Sequence, residues 1–215
     1  MGRVAVVVLS FFGFALAGYA QQVLRATTEE GRAVLLFPDG RWVYADSVEA
    51  MPDSTGSGGV FIRPKSSTRH VKTIVDAFSI WIDNKVWKPT KTDNPNRTEL
   101  THSRGDAYGI LIAERIGMPL ETLRNIVISN AESVASKVEV KQEERRKVNG
   151  AEVLYMKTRV VVHGIPFIFV GYYYSGDEGS FQAMAYTAEN LFSEYEKDLF
   201  DFLNGVTIAL KDSSD

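Results

Sequence analysis

The chain has 215 residues, 45% of them apolar and 24% charged, with a net charge of −3 and no cysteine. That length holds one ordinary domain and a small appendage, and the composition is that of a globular chain and not a disordered one. The acidic balance excludes the dense basic face that nucleic-acid binding demands, and the missing cysteine excludes disulfide staples and thioether lipid attachment.

Met1-Gly2-Arg3 places one positive charge at the start. Val4 to Ala17 follows as an apolar run broken only by Ser10, and Gly18-Tyr19-Ala20 supplies small residues where a signal peptidase cuts. The run falls short of the roughly 20 apolar residues that cross a bilayer. We expect a signal peptide over 1–20, cleavage near Ala20, and no membrane span in the mature chain. A secreted animal domain of this size often carries disulfides, so the expected compartment is the bacterial periplasm or the exterior.

Residues 21–50 predict a small β-hairpin. Val34-Leu35-Leu36-Phe37 is apolar, Pro38-Asp39-Gly40 signals a turn, and Arg41-Trp42-Val43-Tyr44 alternates. The segment resembles a short stretch near the start of many exported bacterial proteins, and it carries no chemistry. Residues 51–70 have the Gly/Ser-rich composition of a flexible linker. No Gly-Lys-Ser/Thr follows those glycines, so they are not a phosphate loop.

The main domain is expected over 71–210. Phe78-Ser79-Ile80-Trp81-Ile82 alternates as a strand, Val86-Trp87 begins a second, and Glu99–Ser103 and Ala107–Ile116 flank Arg104-Gly105-Asp106. Pro119 opens a helix whose Leu120, Leu123, Val127, Ala131 and Val134 form one apolar stripe. Four strands follow, Val138–Glu144, Glu152–Val162, Ile165–Tyr174 and Ser180–Tyr186, joined by the turn signals Asn149-Gly150, His163-Gly164 and Ser175–Gly179. Thr187 is placed to cap a last helix that buries Leu191, Tyr195, Leu199 and Phe202. Residues 211–215 form a polar tail, expected to be disordered.

Ile165–Tyr174 settles the expected architecture. Ile165, Phe167 and Phe169 alternate with Ile168, Val170 and Tyr172, so both sides of the strand are apolar and both require a cover. With hairpin connections, the fold class is α+β: an antiparallel β-sheet sandwiched between helices (α/β/α), behind a small N-terminal β-hairpin. This element order resembles the Mog1/PsbP-like fold family over residues 71–210. The resemblance opens at Phe78–Ile82 and closes at Leu199–Leu203. Between them it takes in Trp87 after the first hairpin and the Asn149-Gly150 turn. Families of this fold are generally adaptor or assembly proteins; one type binds a nuclear GTPase and another supports an oxygen-evolving photosystem. The resemblance implies a non-enzymatic role, while an exported bacterial chain meets neither of those partners.

Chemical signatures are sparse. His70, His102 and His163 have no short metal-ligand spacing. His102, Ser103 and Asp106 form a triad only on paper, without a nucleophile elbow. Asp177-Glu178 offer too few oxygens for calcium. The contiguous basic run Arg145-Arg146-Lys147 follows Glu143-Glu144 and reads as a locally mixed, solvated edge. Trp81, Trp87, Tyr172 and Tyr174 are the candidate binding residues, as aromatics that grip a partner at a sheet end. The expected function is an exported, non-catalytic interaction or assembly module with an unknown protein partner and no cofactor. A carrier of a small apolar ligand is the alternative, and a hydrolase with a dispersed site the third reading.

Overall fold

The structure, a computed structural model, describes residues 24–28, 33–36, 42–44 and 60–210. The signal peptide, the Pro38–Gly40 turn, most of the linker and the polar tail lie outside the described residues. Two units are resolved, Met1–Met51 and Pro52–Asp215. In the first, β1 (Leu24–Thr27), β2 (Ala33–Leu36) and β3 (Trp42–Tyr44) form an antiparallel sheet in that order. The expected hairpin corresponds to β2 and β3, with Leu36 opposite Trp42 and Val34 opposite Tyr44.

The second unit holds β4 (Val60–Phe61), β5 (Arg69–Lys72), β6 (Phe78–Ile82), β7 (Trp87–Thr90), β8 (Arg97–His102) and β9 (Ala107–Glu114). Helix α1 (Leu120–Val134) follows, then β10 (Lys137–Val148), β11 (Ala151–Val162), β12 (Ile165–Gly176) and β13 (Gly179–Ala188). A 3-10 turn (Glu189–Leu191), helix α2 (Phe192–Leu203) and β14 (Val206–Ile208) complete it. One sheet has eight strands, ordered β4-β10-β11-β12-β13-β9-β8-β7; a second has three, ordered β14-β6-β5. The large sheet is mixed, because β4 runs parallel to β10 while its other pairs are antiparallel.

The long meander follows from its turns. Asn149 and Gly150 have φ of 47° and 95°, His163 and Gly164 of 50° and 79°. Positive φ at both central residues matches the right-handed twist of the flanking strands, and Asn-Gly and His-Gly tolerate it. At Gly179, φ is 124° and an added Cβ would lie 2.2 Å from the Glu114 carbonyl oxygen, so only glycine fits where β13 begins.

Register sorts the side chains of the large sheet. Tyr155, Tyr172, Ala183 and Leu111 stand in one row, and the next row is Met156, Gly171, Met184 and Ile110. Successive rows point to opposite sides of the sheet. The first side packs against α2, whose Tyr195, Leu199, Phe202 and Leu203 join Val170, Tyr172, Phe181, Ala183 and Ala185 in one buried cluster. The small sheet completes that cover: Phe78 stacks on Phe181 at 5.1 Å and meets Tyr174 edge-on at 5.7 Å. Glu143 belongs to the second row, opposite Met156, and there Arg124 of α1 donates to both its carboxylate oxygens at 2.8 and 2.9 Å. Both apolar sets of β12 are buried beyond its first residue, Phe167 and Phe169 as well as Ile168, Val170 and Tyr172, while Ile165 of the expected first set is exposed.

Several expectations are corrected. Phe78–Ile82 and Trp87–Thr90 do not form a hairpin with each other. The first pairs with β5 and β14, the second with β8. The chain changes sheets at Asp83, whose carbonyl oxygen accepts the Val86 and Trp87 amides. Strand β4 and the start of β5 fall within the stretch read as linker. Thr187 does not cap α2. It pairs with Ile168 and Ala107 inside the sheet, and its hydroxyl donates to the Asp106 carbonyl at 2.5 Å. The 3-10 turn intervenes, and α2 starts without a side-chain cap.

Candidate functional site

Trp87 and Tyr172 are core residues, at 2% and 0% exposure. Trp87 packs on Phe202 at 4.9 Å, and Tyr172 donates its hydroxyl to the Asn204 side chain at 2.9 Å. Neither can grip a partner, which corrects the expectation for these two. Tyr174 is half-buried at the far end of β12, where its hydroxyl donates to Glu178 at 2.5 Å. Trp81 is the one of the four candidates that faces outward on a strand of the small sheet. Phe78, Ile80 and Ile82 of β6 turn inward with no exposure, so Ser79 and Trp81 turn out. The structure therefore separates the four aromatics and does not assemble them into one cluster.

Around Trp81 a site is built from residues the sequence reading passed over. His70, its partner across the β5–β6 ladder, stacks on the indole with centroids 4.5 Å apart and planes 17° apart. The Arg63 guanidinium lies over the same ring system, 4.4 Å from the centroid. Cation–π attraction and ring stacking thus hold an exposed guanidinium and an imidazole against an indole. Two further contacts fix the surroundings: Arg69 donates to Asn84 at 2.7 Å, and the Arg63 amide donates to Asn149 Oδ1 at 2.8 Å. The signal was present in the sequence. From Val60 to Lys72 the chain carries Arg63, Lys65, Arg69, His70 and Lys72 without one acidic residue. Spaced by Pro64 and the Ser66–Thr68 run, these charges escape a search for contiguous basic clusters.

His102 is the other assembled polar centre. It ends β8 at 3% exposure, edge-on to Trp87 at 5.2 Å and to Tyr195 at 5.0 Å. Its Nδ1 accepts the Arg104 amide at 3.2 Å, and its Nε2 faces Asp198 at 3.0 Å. An amide only donates, so Nδ1 carries no proton and Nε2 is the donor to Asp198. Both nitrogens are thereby occupied, and the carboxylate partner is Asp198 of α2, not Asp106. The paper triad of His102, Ser103 and Asp106 is not assembled. Arg104 of the Arg-Gly-Asp turn is likewise engaged, with Glu194 at 2.7 Å and Asp198 at 3.5 Å, over the Tyr195 ring at 4.5 Å. These contacts tie the β8–β9 turn to α2. Among the described residues, no group of three or more His, Cys, Asp or Glu side chains is placed to hold a metal ion.

Tyrosine ionisation follows the packing. Burial pushes the Tyr155 phenol from 10.0 up to about 12, with the Arg146 charge working against it. Burial also raises Tyr172, Tyr173 and Tyr186. Tyr174 is raised by burial and then by its hydrogen bond to Glu178. At the surface, Glu139 is held down to about 2 by hydrogen bonds from Lys137 and Lys141.

No protein-family model and no curated protein matches the chain. Among solved structures it is similar to the cyanobacterial PsbP (CyanoP) of Synechocystis sp. PCC 6803, with 14% identity and a TM-score of 0.49 over 66% of this chain and 93% of that one. It is similar to a protein of Bacteroides thetaiotaomicron VPI-5482, with 10% identity and a TM-score of 0.47 over 69% of this chain and 50% of that one. It is also similar to the Ran-binding protein Mog1p of Saccharomyces cerevisiae, with 9% identity and a TM-score of 0.47 over 66% of this chain and 95% of that one.

Proposed function

We propose that the chain is an exported, non-catalytic interaction or assembly module with a protein partner. In this reading the leader is removed near Ala20, and the mature part works in a bacterial periplasm or outside the cell. Its fold is a layered α/β/α domain, with α1 and α2 as the covers of the large sheet. The apolar residues on both sides of β12, the Arg124–Glu143 contact and the α2 cluster support that layering.

One observation carries the functional reading. His102, the side chain best suited to proton transfer, spends both nitrogens on internal bonds. The Arg63, Trp81 and His70 stack is instead held ready on an outward face. Tryptophan and arginine are the residues on which binding energy concentrates. The test is a photo-reactive phenylalanine analogue at position 70, expressed in the native host and irradiated in intact cells. We expect a covalent protein adduct from position 70 and none from Asn130, which is exposed on α1. Equal adducts from both positions, or none from position 70, would contradict the assignment. Mass measurement of the exported product, expected to begin at Gln21, checks the leader separately.

A further inference from the structure

Most arginines elsewhere in the second unit are neutralised locally; Arg115, which donates to the Ile74 carbonyl, is the exception. Arg97, Arg104, Arg124, Arg145, Arg146 and Arg159 pair with Glu99, Glu194, Glu143, Glu152, Glu144 and Glu189. The small sheet departs from that rule. Among the described residues, Arg63, Lys65, Arg69 and Lys72 form no ion pair. Arg69 meets a neutral amide, and Arg63 meets an aromatic ring. Register sends Lys72, His70, Ser79, Trp81 and Thr207 to one outward side. The centre of that side is uncharged, a hydroxyl pair between Ser79 and Thr207 at 2.7 Å. Asp76 and Asp83 are the acidic residues of the adjoining turns, and Asp83 is spent on the Lys85 amide at 2.8 Å.

Apolar side chains are exposed in the segments of the chain that precede and follow these strands. Val60 and Ile62 are each 71% exposed on either side of the inward Phe61, directly before Arg63. Ile74 and Leu210 are exposed at the opposite end, beside the Ala209–Ala77 backbone bond. A fluid interface needs no matching shape. It rewards isolated aliphatics, an indole at the boundary and cations within a Debye length of anionic headgroups.

We propose that the outward face of β5, β6 and β14 docks on an anionic phospholipid surface. Arg63, Lys65 and Lys72 meet the headgroups, and Val60, Ile62 and Trp81 enter the boundary. The assignment rests on reading this face as an interaction surface, and it adds a lipid contact to the proposed protein partner. The net charge of −3 does not oppose it, since the attraction is local to the face at physiological salt.

The test is flotation of the full chain with vesicles of phosphatidylcholine alone and with 30% phosphatidylglycerol. Arg3 and the N-terminal ammonium of the leader also favour the anionic vesicles, so the readout is the change in that preference between the parent chain and its variants. Each cation near an anionic leaflet strengthens partitioning about fivefold. We expect at least tenfold stronger binding to the anionic vesicles, lost in 0.5 M NaCl and largely lost in R63Q/K65Q/K72Q. The control K88Q/K91Q/K141Q removes equal charge elsewhere and should keep the preference, and circular dichroism verifies that both variants fold. Equal binding to both vesicle types overturns the proposal, as does an equal loss in the control. Binding to poly-L-glutamate without anionic vesicles also overturns it and identifies an acidic protein as the occupant. If vesicle binding fails while position 70 still yields a protein adduct in cells, the lipid assignment falls and the module reading stands.

Discussion

Asn149 does more than make a turn. Its φ of 47° suits the β10–β11 loop, while its side chain accepts the Arg63 amide and donates to the carbonyls of Asn204 and Val206 at 2.8 and 2.6 Å. One residue thereby joins β4, the end of α2 and β14. Asn149→Gly keeps the turn and loses all three bonds, so it should cost about 2–4 kcal/mol in denaturant unfolding, at roughly 0.5–1.5 kcal/mol per bond. A cost below about 0.5 kcal/mol would show that the clamp is idle. The turn was legible because Asn-Gly carries its backbone preference locally. The clamp was not, because its partners lie far along the chain. The same limit applies to the aromatics: residue type does not tell which side of a strand is covered, so Trp87 and Tyr172 looked no different from Trp81.

Tyr155 supplies a pH prediction. Its folded pKa of about 12 exceeds the unfolded 10.0, so the folded state holds the phenol proton more tightly. Its contribution to stability is complete below pH 10 and disappears as pH rises through about 12. Stability should therefore fall across that window. Tyr155→Phe should flatten the fall, as followed by unfolding at stepped pH with phenolate absorbance in parallel.

Between elements, the approach of α2 to the large sheet is set by small residues. Ala107, Gly109, Ala183 and Ala185 line the strands beneath it, and a Cβ on Gly109 would lie 2.8 Å from the Phe202 ring. Gly109→Ala should overpack that contact and cost about 1–3 kcal/mol, read as a lower thermal midpoint. An unchanged midpoint would mean that the helix shifts freely. The two-sided apolar pattern of β12 was legible because alternation reports burial directly. The small sheet was not. Its β5 (Arg69-His70-Val71-Lys72) has no apolar face, and β14 reaches β6 from the far end of the chain. Thr187 misled for a related reason. A capping residue type is equally at home in a strand, and pairing on both sides held it in the sheet.

Strand β10 illustrates how a long edge is protected. Among the described residues strand β4 covers only Lys147 and Val148, and along the remainder Lys137, Glu139, Lys141, Glu143, Glu144 and Arg145 mix both signs around a bulge between Val140 and Gln142. Charge and bulge both discourage strand addition from another chain. Nearby, Arg146 is 8% exposed, with its guanidinium 3.5 Å from the Tyr155 ring and 4.6 Å from that of Phe61. Among the described residues its Nη1 has no hydrogen-bond partner, so the rings and Glu144 carry the charge. Arg146, at the centre of the basic run, is thus an internal fastening of the β4 edge, while Arg145 and Lys147 stay exposed.

Across the second unit most arginines are paired with carboxylates, while Arg63, Lys65, Arg69 and Lys72, in and just before the small sheet, form no ion pair among the described residues. The most direct measurement is amide hydrogen exchange of the full chain with and without vesicles containing 30% phosphatidylglycerol. The account predicts slowed exchange confined to residues 60–82 and 206–210, with 120–134 unchanged. Protection centred on 120–134, or no change within 60–82 while the chain is vesicle-bound, would contradict it.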